Sequence, residues 1–271
     1  MSTIFKWNAS DIEALLRTCD ADEVTPLVRD YFQPGWTILE SGCGLGRFLR
    51  YLTDRGHSTI GIEWLHETLA AVHSFWPDLK LVQGDSASTP FRSSTFDGIL
   101  SLGLVEHWTD GPGAPLSDHY RILRPGGIAI ITVPLHNPIR RLKHALWLYE
   151  LLGLPRALAV ALLRGRPLRV SRLRRAPYAI HPAYAPFFEY RLTPPQFLEA
   201  VRAAGFEVLR HTPIGHMDGI YHELNPLHLL VRFRNWRFSP SGAARFLNTR
   251  LSRLPFLHAH MQAVVARKPR E

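Results

Sequence analysis

The sequence has little cysteine, almost no lysine and no long uninterrupted apolar run. Only Cys19 and Cys43 occur in 271 residues, too few for a disulfide framework, so the fold must rest on a packed core. The start of the chain lacks a basic stretch followed by an apolar run and a small-residue cleavage site, the pattern of a secretory signal; a reducing, cytoplasmic setting is expected. Of 32 cationic side chains only Lys6, Lys80, Lys143 and Lys268 are lysine, a bias that assigns no function by itself. The apolar stretch 145–163 is interrupted by Glu150, Pro155 and Arg156, which makes it a poor transmembrane span. Internal repeats and low-complexity tracts are also missing.

What is present suffices for one substantial core, since 46% of the residues are hydrophobic and 20% charged. The net charge of +9 is unevenly spread. Residues 1–138 carry 10 basic and 16 acidic groups, 139–175 carry 10 and 1, 176–223 carry 3 and 5, and 224–271 carry 9 and 1. A mildly acidic body with two basic later segments points to an anionic partner, either a membrane surface, a nucleic acid or an acidic substrate.

Short apolar runs at 37–40, 58–62, 79–82, 96–101 and 127–133 alternate with helix-like stretches at 48–55, 65–75 and 116–123. That rhythm predicts an α/β fold, a parallel sheet with helices on both faces. The rhythm breaks over 136–190. It resumes with a helix at 194–204, whose prolines stand in the first turn, a sixth strand at 206–209 and a seventh near 260–266. The expected organisation is an N-terminal helical cap (1–35), a core (36–135), a basic, apolar helical insertion (136–190) and a C-terminal part of the core sheet with a basic segment (191–271).

The sharpest local signal is Glu40-Ser41-Gly42-Cys43-Gly44-Leu45-Gly46, where the first strand turns into the first helix of the alternation. Alternate glycines permit a tight turn and a close approach of ligand to backbone. The turn should lie at the carboxyl edge of the sheet, the ligand side of such folds. The spacing is G-x-G-x-G. It lacks the sixth-position glycine of a dinucleotide fingerprint and the Gly-Lys-Ser/Thr of a phosphate loop.

Together with Glu63 after the second strand, Gln83-Gly84-Asp85-Ser86 after the third, Phe96-Asp97 to Glu106-His107 around the fourth and Leu123-Arg124-Pro125-Gly126-Gly127 before the fifth, this loop resembles motif I of the class I S-adenosylmethionine-dependent methyltransferases. The blocks are similar to those of the small-molecule branch that includes ubiquinone-type enzymes, and they span about residues 36–135. The resemblance implies a Rossmann-like, seven-stranded, mostly parallel sheet and S-adenosylmethionine as cofactor, with S-adenosylhomocysteine as product. It places Gly42, Gly44 and Gly46 under the cofactor, Glu63 on the ribose hydroxyls, Trp64 against the adenine and Asp85 at the adenine amino group with Ser86 beside it. Glu40 stands where the family more often has Asp, near the methionine amino group. Asp97 reads equally well as a cap on the entry of the fourth strand.

Methyl transfer from a sulfonium needs mainly alignment, and a base only when the acceptor must lose a proton. His107, on the ligand side, is the candidate catalytic group, since imidazole titrates near neutrality; the other reading is positioning or packing of the cofactor pocket. After the sixth strand come His211, His216, Asp218, Tyr221, His222 and Glu223, of which His211, His216, Tyr221 and His222 are candidates for acceptor contacts or an ordinary polar loop. No zinc-type spacing is present, so no metal is expected. The family's Asn/Asp-Pro-Pro-aromatic motif for base amines is missing after the fourth strand, which disfavours an adenine in nucleic acid as acceptor.

The insertion reads as two short apolar helices joined at 153–155 and flanked by cations, with Trp147 and Tyr149 suited to a headgroup boundary. Two compatible readings follow: peripheral contact with an anionic membrane through residues 139–175, and a lid over the acceptor site. The expected acceptor is a hydrophobic small molecule or lipid. The alternatives are a soluble small-molecule enzyme with a plain lid, and an RNA-binding methyltransferase that uses the basic segments, Arg232, Arg234 and Arg237 among them, for phosphates. A cofactor-binding scaffold without turnover is a third. Oligomeric state is not readable.

Overall fold

The computed structural model describes residues 8–145, 178–181, 187–225, 229–254 and 256–270. Most of the expected insertion, including the apolar run beyond Ala145 and the arginines from Arg164 to Arg175, lies outside these residues.

In chain order the structure runs α1 (Ile12–Leu16), α2 (Thr25–Tyr31), β1 (Thr37–Ser41), α3 (Arg47–Thr53), β2 (Ser58–Glu63), α4 (His66–Phe75), β3 (Lys80–Gln83), β4 (Phe96–Leu102), α5 (Gly113–Ile122), β5 (Leu123–Pro134) and α6 (Pro138–Ala145). It continues with β6 (Tyr178–His181), β7 (Phe187–Tyr190), α7 (Pro194–Ala203), β8 (Glu207–Ile214), α8 (His216–Glu223), β9 (Val231–Arg234), β10 (Arg237–Pro240), α9 (Gly242–Leu251) and β11 (Met261–Arg267).

Seven strands form one sheet in the order β3-β2-β1-β4-β5-β11-β8. The first five strands pair in parallel, and β11 is antiparallel to both β5 and β8, so β8 again runs with β1. Successive strand residues feed opposite faces, as the pleat demands. Ile38, Leu100, Ile130 and Val265 join a cluster with Val24, Val28, Phe48 and Leu52. Their neighbours Leu39, Ile99, Ile131 and Val264 join Leu116, Ile122, Phe197 and Val201 on the other face. Burial on both faces explains why these strands read as continuous apolar runs.

Two parts differ from expectation. The sixth strand of the sheet is eight residues long and ends at Ile214, and the segment after it folds into α8, a β9–β10 hairpin and α9 around Ile220, Val231 and Ala244. At the end of the insertion, β6 and β7 form an antiparallel pair, where a helical insertion was expected. Among the described residues no helix is long and apolar enough to cross a membrane.

Candidate functional site

Strand order reverses between β1 and β4, and ligands of such sheets bind where the carboxyl ends diverge. The glycine loop stands there. Gly42 N and Cys43 N both donate to Ile62 O, at 2.9 and 3.0 Å, which straps the loop across β2. Two glycines make that possible. Gly42 has φ +68°, and a Cβ on it would lie 2.6 Å from Leu104 Cδ1; a Cβ on Gly61 would lie 2.8 Å from Cys43 Sγ.

Around the loop the acids are only partly satisfied. Glu63 Oε2 accepts from Gly44 N (3.1 Å), and Oε1 accepts from Trp64 N (2.8 Å) and Leu65 N (3.1 Å). A carboxylate has about four acceptor positions, so one is left for a ligand. Glu40 is buried and its Oε2 has no hydrogen-bond partner. Burial pushes its carboxyl up to about 8, against the pull of Arg47. Asp85 Oδ1 closes a turn on Ala87 N at 2.8 Å, Ser86 is buried beside it, and Trp64 is 43% exposed at the rim. Asp97 lies at the opposite edge, where it accepts from Thr37 N at 2.9 Å and pairs with Arg124, a structural cap.

Beyond β4 the chain makes a 3-10 turn, Val105–His107. His107 is half-buried in it. Its neighbour Glu106 points inward, 2% exposed, with Oε2 unpartnered, and burial pushes its carboxyl well above the usual range. Under the end of β1, the buried ring of His119 shares a 2.9 Å hydrogen bond between Nε2 and Ser41 Oγ. Burial lowers that imidazole to about 4.

On the far side of the same edge, β5, β11 and β8 deliver a different arrangement. Arg140 is 2% exposed and donates from Nε to Glu223 Oε1 (2.7 Å), from NH1 to Leu135 O (2.7 Å) and from NH2 to His260 Nδ1 (2.9 Å). Lys143 Nζ donates to Glu223 Oε2 at 3.0 Å. Burial alone would raise the Glu223 carboxyl, but Arg140 and Lys143 together hold it down at about 2. His222 pairs with Asp218 at 3.1 Å and stacks on His260 with ring centroids 4.5 Å apart.

Donor atoms of Asp218, His222 and His260 converge within 4.8 Å, close enough to suggest a metal. The bonding argues otherwise. With Nδ1 of His260 accepting from Arg140, the neutral ring must carry its proton on Nε2, leaving no lone pair for an ion, and the guanidinium adds an adjacent positive charge.

The other expected acceptor residues are dispersed. His211 belongs to β8, where it lies 3.0 Å from Gln262 Oε1 and packs near Phe197 and Phe256; it was expected in the loop that follows the strand. His216 opens α8 and is clasped by Glu23, which accepts from its N at 3.0 Å and meets its Nδ1 at 2.9 Å. Tyr221 packs in the α8–β9–β10–α9 cluster.

Comparison with known proteins supplies what geometry cannot. Residues 39–131 match the model of the methyltransferase domain. This part of the chain is a methyltransferase domain. It is 29% identical over 111 residues, 41% of its length and 44% of the relative's, to malonyl-[acyl-carrier protein] O-methyltransferase of Pectobacterium atrosepticum. Over 56 residues, 21% of its length and 16% of the relative's, it is 39% identical to a chloroplastic 2-methyl-6-phytyl-1,4-hydroquinone methyltransferase of Oryza sativa. An S-adenosylmethionine-dependent methyltransferase from Mesorhizobium loti superposes with a TM-score of 0.58 over 92% of this chain and 99% of that one, at 18% identity. The match spans about half or less of the length of the curated relatives.

The methyltransferase domain's glycine loop, Glu40, Glu63 and Asp85 stand at one edge, at or just past the ends of β1, β2 and β3. Sequence reasoning passed over Glu106, although an acid directly before His107 at a strand exit was a readable signal. It also missed Arg140 and His260 as partners of Glu223 and His222, because 83 and 38 residues separate the pairs in sequence.

Proposed function

We propose that this domain binds S-adenosylmethionine over the glycine loop and transfers its methyl group to a hydrophobic small-molecule or lipid-type acceptor at a membrane surface. The observation that carries the cofactor half is the unsatisfied carboxyl of Glu40. A buried acid pushed up to about 8, with its Oε2 unpartnered, suits a cation, and the ammonium of the cofactor's methionine end is one. Glu63 has one acceptor position left for a ribose hydroxyl. Asp85 keeps Oδ2 for the adenine amino group, with the exposed Trp64 offering an aromatic face.

The cofactor supplies an already activated methyl on a sulfonium. What remains for the chain is to align the acceptor, exclude water and, for a hydroxyl acceptor, take its proton. In this reading His107, in the turn after β4, is the group that takes it. Glu106, whose carboxyl burial pushes well above the usual range, would when protonated donate to an acceptor oxygen. The two basic segments and the phytyl-hydroquinone name of one relative support a lipid-type acceptor.

Calorimetric titration with S-adenosylhomocysteine tests the cofactor half, followed by transfer of labelled methyl to a panel of quinol, lipid and water-soluble acceptors. Binding and transfer to the apolar acceptors are expected. Labelling of water-soluble acceptors alone would overturn the lipid reading, and absence of binding would overturn both.

A further inference from the structure

The chain leaves the sheet at Ile214, the end of β8, and returns at Met261, the start of β11, and these two residues are paired. The excursion between these two residues therefore leaves from and returns to the edge that carries the glycine loop, and its Trp236 packs back on the cluster of Ile12, Leu45 and Leu49. Among its described residues this excursion is a folded module, with Ile220, Val231 and Ala244 fully buried between α8, the β9–β10 hairpin and α9. From residue 224 to 270 the chain contains no Asp or Glu.

On the module's surface stand six exposed arginines, Arg232, Arg234, Arg237, Arg245, Arg250 and Arg253. None has a carboxylate partner among the described residues. Arginines of the body are mostly neutralised in place, as Arg47 is by Asp22, Arg50 by Asp54 and Arg121 by Asp118. The module also exposes Leu229 (76%), Phe246 (60%), Leu254 (58%) and, on the hairpin face opposite Arg232, Arg234 and Arg237, Phe233. These are four of the seven large apolar side chains exposed among the described residues, so the clustering is not the scatter of an ordinary surface.

Unpaired arginines want phosphate. Protruding leucines gain nothing from the hydrated backbone of a nucleic acid, whereas a headgroup boundary accepts cations at its surface and apolar side chains a few ångströms deeper. We infer that the α8–β9–β10–α9 module is a docking face for an anionic lipid bilayer, and that it turns the carboxyl edge of the sheet toward the membrane. The inference rests on the proposed function for its purpose, delivery of a lipid-type acceptor to the cofactor edge. Its evidence is separate, and it needs nothing from residues 146–177.

The test is co-sedimentation of the full chain with phosphatidylcholine vesicles, with and without phosphatidylglycerol, at low and high salt. The variants are R232Q/R234Q/R237Q and F246S/L254S, and affinity for S-adenosylhomocysteine is measured on each to show that the core is intact. Each cation near an anionic leaflet is worth about fivefold in partition. The triple variant should therefore bind phosphatidylglycerol vesicles at least tenfold more weakly, the F246S/L254S variant should lose the binding that survives high salt, and cofactor affinity should not change. Wild-type binding by the triple variant, no binding by the intact chain, or preference for RNA over vesicles would each overturn the inference. Loss of vesicle binding by the triple variant in a chain that never binds S-adenosylhomocysteine would leave the docking face standing and remove the methyltransfer reading.

Discussion

The two halves of the sheet's carboxyl edge are built on opposite electrostatic principles. On the β1–β3 side the charged groups are left incomplete. Glu40 and, at the β4 exit, Glu106 are buried with one oxygen unpartnered, and burial pushes both carboxyls up. On the β5–β11–β8 side the charges are closed on themselves, with Glu223 satisfied by Arg140 and Lys143 and held down at about 2. A buried carboxyl oxygen left unpaired costs free energy that a ligand's donor can return. The open half is therefore where a ligand belongs, and the closed half is a brace that fixes α6 and α8 to the sheet.

Breaking the brace should have the largest effect. Arg140→Met takes from the buried Glu223 the guanidinium that meets its Oε1, and removal of one partner from a buried pair costs about 3–5 kcal/mol; urea unfolding should register that loss. Adding Glu223→Leu should recover most of it, because an apolar pair removes the orphaned charge. No recovery would mean that the brace also acts through its contacts with Leu135 and His260.

The open half is tested next by Glu63→Ala, for which affinity for S-adenosylhomocysteine should fall at least tenfold, about 1.4 kcal/mol. Unchanged affinity in calorimetry would remove Glu63 from the cofactor site. Glu40 offers a sharper contrast through pH. In the free protein its carboxyl is protonated below about 8, and a bound ammonium favours the ionised form. Cofactor binding should then release a proton, and affinity should rise by up to about tenfold per pH unit toward 8 and level off above it. Glu40→Gln should remove that rise, and a slope that persists in the variant assigns it to another group.

A last test concerns His119 beneath the loop, where the part visible in a mild pH range is small. Its folded value of about 4 lies below the ordinary 6.5, so the unfolded chain binds a proton that the folded chain refuses. The stability contribution is complete above pH 6.5 and is lost progressively as pH falls toward 4, at roughly 1.4 kcal/mol per unit. Urea midpoints between pH 7 and 5.5 should show a shallower decline for His119→Gln, which can keep the bond to Ser41.

Much of the core was readable because its signals are local. The apolar runs at 37–40, 58–62, 96–101 and 127–133 became β1, β2, β4 and β5, and the glycine loop stands where β1 ends. The β9–β10 hairpin was invisible. Its two-residue turn places Asn235 and Trp236 at φ +49° and +61°, and a tryptophan is not the residue that announces such a turn. His211 was misplaced for a related reason, since polar residues in the second half of β8 look like a loop until β11 is seen pairing with them.

By itself the sequence determined the alternation of strands and helices, the turn at Gly42 to Gly46 and the separation of an acidic body from basic later segments, all of which are written in residues a few positions apart. Tertiary structure alone decided which charges are finished and which are not. Arg140 meets Glu223, and Glu40 meets no partner for its Oε2, because the partners of a buried charge come from whichever elements the sheet order brings to one edge, and local chain spacing carries no record of that encounter.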